Sequence, residues 1–138
     1  MGRYSREKGI RFERSIARKF RAAGFECQRI LEYDGFNTGC DLRIGRPLPR
    51  RNPDDLVLWE SSNPQIEWLP VALQCKAVNN PNAWKAGLEE AKKAMPDAQV
   101  WACIHSYKGQ IMVYLKKPIS GPLGIYEFIV WLHNKYLA

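Results

Sequence analysis

Long apolar runs are missing from this sequence: charge or proline breaks each one well short of the ~20 residues that a membrane-spanning helix needs. The basic segment Met1 to Lys8 leads into Ile10 to Phe20, which Arg and Glu punctuate, so the apolar centre of a signal peptide is lacking and the expected location is the cytoplasm. Closely spaced cysteines are lacking too. Cys27, Cys40, Cys75 and Cys103 form no CxxC pair, and only His105 and His133 would join them as ligands. They read as buried, reduced thiols rather than a zinc site. There is no GxGxxG, no phosphate-loop lysine motif and no internal repeat, which argues against a dinucleotide fold and a solenoid.

Acidic residues are few. Fourteen Asp and Glu face 21 Lys and Arg, a net charge of +7 over 138 residues. An excess of that sign favours a polyanionic partner, because each phosphate contact releases counterions. The charge is clustered: Arg3, Arg6, Lys8, Arg11, Arg14, Arg18 and Lys19 fall near the N-terminus, and Arg43, Arg46, Arg50 and Arg51 follow later. Hydrophobic residues at 46% supply a core for one globular domain covering 1–138.

Ser5 to Ala23 reads as a helix stopped by Gly24. Phe25 to Tyr33 reads as a strand ending at Asp34-Gly35, and Asp41 to Ile44 as a short strand. Gly45 to Pro53 contains three prolines and is not expected in a sheet interior. Leu56 to Glu60 and Trp68 to Val78 read as strands, which makes 46–68 a loop or strand insertion. A helix over Asn82 to Met95 follows, then strands Gln99 to His105 and Gln110 to Lys116 around a turn at Ser106 to Gly109, then a helix over Leu123 to Tyr136. The order predicts an α/β fold, with a central mixed sheet flanked by helices. The five tryptophans, Trp59, Trp68, Trp84, Trp101 and Trp131, are scattered through these elements and read as core.

Three places combine polar residues with apolar surroundings. At 100° per residue, Glu13 sits at the centre of a helix face made by Gly9, Ile10, Ile16, Ala17 and Phe20. Either it forms a buried ion pair with a core cation, or it is a carboxylate aimed at a cleft. Gln74 and Lys76 interrupt the apolar strand Leu69 to Val78 two residues apart, so both project to one face, where the lysine needs Asp, Glu or phosphate as a partner. Asp41 stands where Asn37-Thr38-Gly39-Cys40 enters a strand, a position also common for an ordinary turn residue.

Together these segments resemble the PD-(D/E)XK nuclease superfamily, and within it the archaeal-type Holliday-junction resolvases that also occur in phages. The resembling pieces are Lys8-Gly9-Ile10-Arg11-Phe12-Glu13-Arg14, Gly24-Phe25 with Arg29, Gly39-Cys40-Asp41-Leu42 and Leu73-Gln74-Cys75-Lys76, in that order. The resemblance implies a restriction-endonuclease-like domain that hydrolyses phosphodiesters in branched double-stranded DNA with Mg²⁺, for which Mn²⁺ would substitute. No small-molecule substrate is implied. Asp41 would be the main metal ligand, joined by the Gln74 side-chain oxygen and the Cys75 carbonyl, with Glu13 holding a metal-bound water or second ion. Lys76 would orient the attacking water and stabilise charge on the phosphate. Arg14 and Arg29 would contact DNA phosphates, as would Lys8, Arg11, Arg50 and Arg51.

Two departures stand out. Gln74 occupies a position where a carboxylate is usual, leaving one negative charge fewer. Asp41 and Gln74 are 33 positions apart, more than is typical, which makes Asp55 a rival to Asp41 as metal ligand. A resolvase cuts two opposed strands, which implies a homodimer. Ile125, Phe128, Ile129, Trp131, Leu132 and Tyr136 offer an interface, or else pack on their own sheet. The alternatives are another endonuclease of this superfamily (restriction, repair or replication-linked) or a DNA-binding module with a degenerate site. For a phage protein the location would be the host cytoplasm.

Overall fold

The computed structural model describes residues 3–30, 40–47, 66–116 and 121–138. They form an α/β domain in which three helices flank an open, mixed seven-stranded sheet. The predicted strand Leu56 to Glu60, the turn Asp34-Gly35 and the residues Arg50, Arg51, Asp55 and Trp59 lie outside the described residues, as do residues 31–33 of the predicted first strand.

Helix α1 (Arg3–Ala22) ends in a glycine cap. Gly24 has φ +99°, its N–H donates to the Arg21 carbonyl, and the Phe25 N–H reaches back to the Phe20 carbonyl at 3.1 Å. That pair of bonds satisfies two last-turn carbonyls, and the Phe20 and Phe25 rings close the motif edge to face, 6.1 Å apart. The chain then enters β1 (Glu26–Arg29), antiparallel to β2 (Leu42–Pro47).

Strand β2 extends further than expected. Gly45, Arg46 and Pro47 pair with Trp68, Glu67 and Ile66 of β3 (Ile66–Trp68). Of the three prolines in this stretch, Pro49 and Pro53 lie outside the described residues, and Pro47 occupies the last position of β2, where a missing donor is tolerated. At Gly45 the absent side chain matters, because a Cβ there would strike the Ile66 and Trp68 side chains. The predicted strand Trp68 to Val78 divides at Leu69-Pro70 into β3 and β4 (Val71–Lys76). Both halves line the same edge of β2, with Leu42 opposite Leu73.

Strand β4 runs parallel to β5 (Val100–Tyr107) through helix α2 (Ala83–Ala94). Hairpin β5–β6 (Gln110–Lys116) turns on Lys108 and Gly109, at φ 50° and 77°, the two-residue turn whose twist suits antiparallel strands. Leu123–Gly124 form a short β7 beside β6 rather than the first turn of the last helix, α3 (Ile125–Tyr136). The Glu127 carboxylate caps that helix by accepting from the Gly124 N–H at 3.2 Å.

One face of the sheet packs on α1 and α3 through Ile16, Phe20, Leu42, Ile44, Leu73, Ile104, Val113, Phe128 and Leu132. The other carries a smaller cluster of Cys40, Ala72, Ala91 and Ala98 beneath α2. Ile125, Phe128, Ile129 and Leu132 are all buried in the core of their own domain, and Trp131 and Tyr136 pack against it. Tyr126 and Val130 are the large apolar side chains that α3 exposes. The tryptophans depart from expectation as well: Trp68, Trp84, Trp101 and Trp131 are half-buried, not core. Among the described residues no helix is long and apolar enough to cross a membrane.

Candidate active site

Alternation along β4 decides what meets what. Leu73 and Cys75 face α1, while Ala72, Gln74 and Lys76 face α2. Gln74 is buried at 3% exposure, so its amide requires polar partners. Its Oε1 accepts from the Asp41 N–H at 3.1 Å, and that N–H also points at the Leu73 carbonyl, 3.2 Å away. Asp41 answers in kind: its Oδ2 accepts from the Cys75 N–H at 2.8 Å. Its carbonyl accepts from the Ile30 N–H at 2.9 Å. Two residues far apart in sequence are thereby locked across the β2–β4 junction.

Burial pushes the Asp41 carboxyl up to about 6, against the pull of the Cys75 N–H. The negative charges of Glu13 and Glu90 push it the same way as burial, while Lys76 opposes them. Glu13, Asp41, Lys76 and Glu90 therefore share one electrostatic neighbourhood, fed from α1, the start of β2, β4 and α2.

Glu13 makes an ion pair with Arg29 of β1 at 2.9 Å, both side chains about one-fifth exposed (18% and 22%). The buried-pair reading of Glu13 and its nearness to Asp41 thus coexist. Arg29, expected on phosphate alone, holds this carboxylate. Lys76 finds the partner its position required: its Nζ lies 3.0 Å from both oxygens of Glu90. Glu90 was not identified from the sequence. The available signal was a helix following the Lys76 strand, with Glu89 and Glu90 two to three turns in, once that lysine was known to need an acid.

Close approach of α2 depends on Gly87, where a Cβ would collide with the Cys103 Sγ and come within 3.5 Å of the Lys76 stem. Cys103 and Cys27 are buried thiols pushed up to about 12 by desolvation, and burial raises Cys75 well above the usual thiol range. At neutral pH all three are protonated and poor metal ligands. Arg11 and Arg14 are exposed on α1, as is Lys8 one turn earlier.

Among the described residues no three His, Cys, Asp or Glu side chains cluster to make an all-protein metal cage. What the site offers instead is one half-buried carboxylate, one amide oxygen and a strand-end carbonyl. That hard-oxygen set suits a largely hydrated Mg²⁺, which takes only one or two carboxylates from a protein. No protein-family model matches the chain, and no curated protein matches it.

Proposed function

We propose that the protein is a Mg²⁺-dependent DNA endonuclease that cuts four-way junctions. The observation that carries this reading is the reciprocal lock between Asp41 and the Gln74-Cys75 step of β4. It brings an acid, an amide oxygen and a lysine to one strand end beside a conspicuously basic helix.

Asp41, Gln74 and the Cys75 carbonyl would hold the cation. When bound, it supplies polarisation of the phosphate and a lowered pKa for an attacking water. Lys76 contributes a positive charge at the same point, positioned by Glu90, where it stabilises negative charge developing on the phosphate. Raising Asp41 by burial leaves an anion that gains from a nearby cation. Glu13 adds negative potential from α1 and is restrained by Arg29. The Gln74 amide carries no charge, so cation binding is weak relative to a two-carboxylate site. Paired cuts require two copies related by a two-fold axis, so the active species is a homodimer in the cytoplasm.

Cleavage of a four-way junction and of a linear duplex of the same sequence, each with Mg²⁺ and with EDTA, tests the reading. Symmetric Mg²⁺-dependent cuts confined to the junction are expected. Loss in Asp41→Asn but not in Asp55→Asn identifies the ligand. Cutting of both substrates moves the assignment to a broader endonuclease. A non-cleaving DNA-binding module is the second reading, favoured by Gln74 standing where a second carboxylate would serve. It predicts binding of the junction with no cuts under any metal.

A further inference from the structure

The α1 arginines make a feature of their own. Arg11, Arg14, Arg18 and Arg21 follow spacings of three, four and three, which confines them to about 80° of the helix circumference. They sit on the helix flank that borders the apolar face at the buried Ala17, with Ile16 and Phe20 further round the helix. From Arg11 to Arg21 the stripe is about 15 Å long. All four side chains are exposed.

Strand β1 completes a wall. Arg14, Arg18 and Arg21 of α1 line an open cleft of about 360 Å³ together with Gln28 and Arg29. Local bonds fix its floor: the Arg21 Nε donates to the Cys27 carbonyl at 3.0 Å, and Arg43 of β2 donates to the Gln28 Oε1 at 2.8 Å. Among the described residues, neither Arg14 nor Arg18 has a carboxylate within ion-pair distance. Arg14, Arg18 and Arg21, gathered on a concave surface none of whose lining residues is acidic, repel one another and gain from an anion. At one end the cleft meets Arg29, whose partner Glu13 belongs to the neighbourhood of Asp41.

From this we infer that the α1–β1 cleft is a track for the sugar–phosphate backbone of a DNA duplex, leading along α1 into the Asp41 site. The inference rests on the endonuclease reading and adds where the substrate lies. The charge fits: a strand's backbone carries one negative charge per nucleotide, and the stripe of about 15 Å presents a continuous run of positive charge to it. Guanidinium forks suit phosphate oxygens, and the contact reads no bases. At the end of the track, Arg29 is shared between Glu13 and the incoming phosphate, which couples occupancy of the cleft to the acid that faces Asp41.

The test is fluorescence anisotropy of a labelled linear duplex in EDTA, where no cutting occurs, over a range of salt concentrations. Wild type is compared with Arg14→Gln/Arg18→Gln and with Lys92→Gln/Lys93→Gln, which removes the same charge from the last turn of α2. The first variant is expected to flatten the slope of log affinity against log salt by about 2, near 0.9 per lost phosphate contact, while the second leaves it unchanged. Equal slopes in wild type and the α1 variant overturn the track. So does an equal fall in both variants, since net charge alone would then explain it. Thermal melts check that the exposed α1 substitutions leave the fold intact. Cutting in Mg²⁺ is read separately, so bound but uncut DNA counts against the endonuclease and not against the track.

Discussion

The two faces of the sheet are built on opposite principles. Against α1 and α3 lies a continuous apolar layer, with Phe20, Leu42, Leu73, Ile104, Phe128 and Leu132 at zero exposure. Against α2 the buried side chains are mostly small, Cys40, Ala72, Ala91, Ala98 and Cys103 with the larger Leu88, and Gln74 is buried on the same side. The first face stabilises by removing large side chains from water. The second holds its helix close through small residues and Gly87, and uses the space gained for the Gln74–Asp41 and Lys76–Glu90 pairs. The polar cluster thus sits at the end of an interior strand, with the large apolar layer on the opposite side of the sheet.

The sharpest break in that comparison is Phe128→Ala, which should lower unfolding free energy by about 3–5 kcal/mol in urea titrations. A comparable loss from Ala91→Gly on the α2 face would erase the distinction.

Next is the Asp41 carboxyl. Its folded-state value of about 6 lies above its ordinary 3.8. A raised carboxyl contributes stability that is fully present below the unfolded value and lost as pH rises through the folded one. With EDTA present, the metal-free protein should therefore lose roughly 2–3 kcal/mol at most between pH 4 and 7 from this group. Asp41→Asn should flatten that part of the profile and raise the melting temperature at pH 7.5. An unchanged profile would mean the carboxyl is not strained by burial.

Gly87→Ala comes third, with an expected destabilisation of about 1–3 kcal/mol from overpacking against Cys103. Cys103→Ala in the same chain should restore most of it, as a double-mutant cycle would reveal. Failure of the rescue would place the constraint on α2 elsewhere. The smallest effect belongs to Lys92, whose Nζ sits 3.8 Å from the Trp101 ring centre. Lys92→Gln should cost roughly 0.5–1 kcal/mol by chemical denaturation.

How far these two faces can be read in the residues differs. The large-residue face was legible: Ile16, Ala17 and Phe20 repeat at helical spacing, and the apolar stretch of β4 announces a central strand. Gln74 and Lys76 were legible as a pair on one side because strand periodicity admits no other arrangement. The partners were not. Glu90 and Arg29 are joined to Lys76 and Glu13 by tertiary packing, which sequence spacing does not encode. The α3 residues nominated as an interface show the same limit, since an amphipathic stripe looks identical whether it covers its own sheet or another protomer. Pro47 and the break at Leu69-Pro70 depart from the expected strands for a different reason. Proline forbids the interior of a strand but not its last residue, and only the register tells the two apart.

The central claim, that the Asp41–Gln74–Lys76 cluster is a phosphodiester-cutting site, is tested most directly by Lys76→Ala on a four-way junction in Mg²⁺. The expected result is a fall in cleavage rate on the order of 10²–10³-fold, with junction affinity in EDTA nearly unchanged. Cleavage at the wild-type rate by that variant, with the same cut positions, would contradict the assignment of this cluster as the active site.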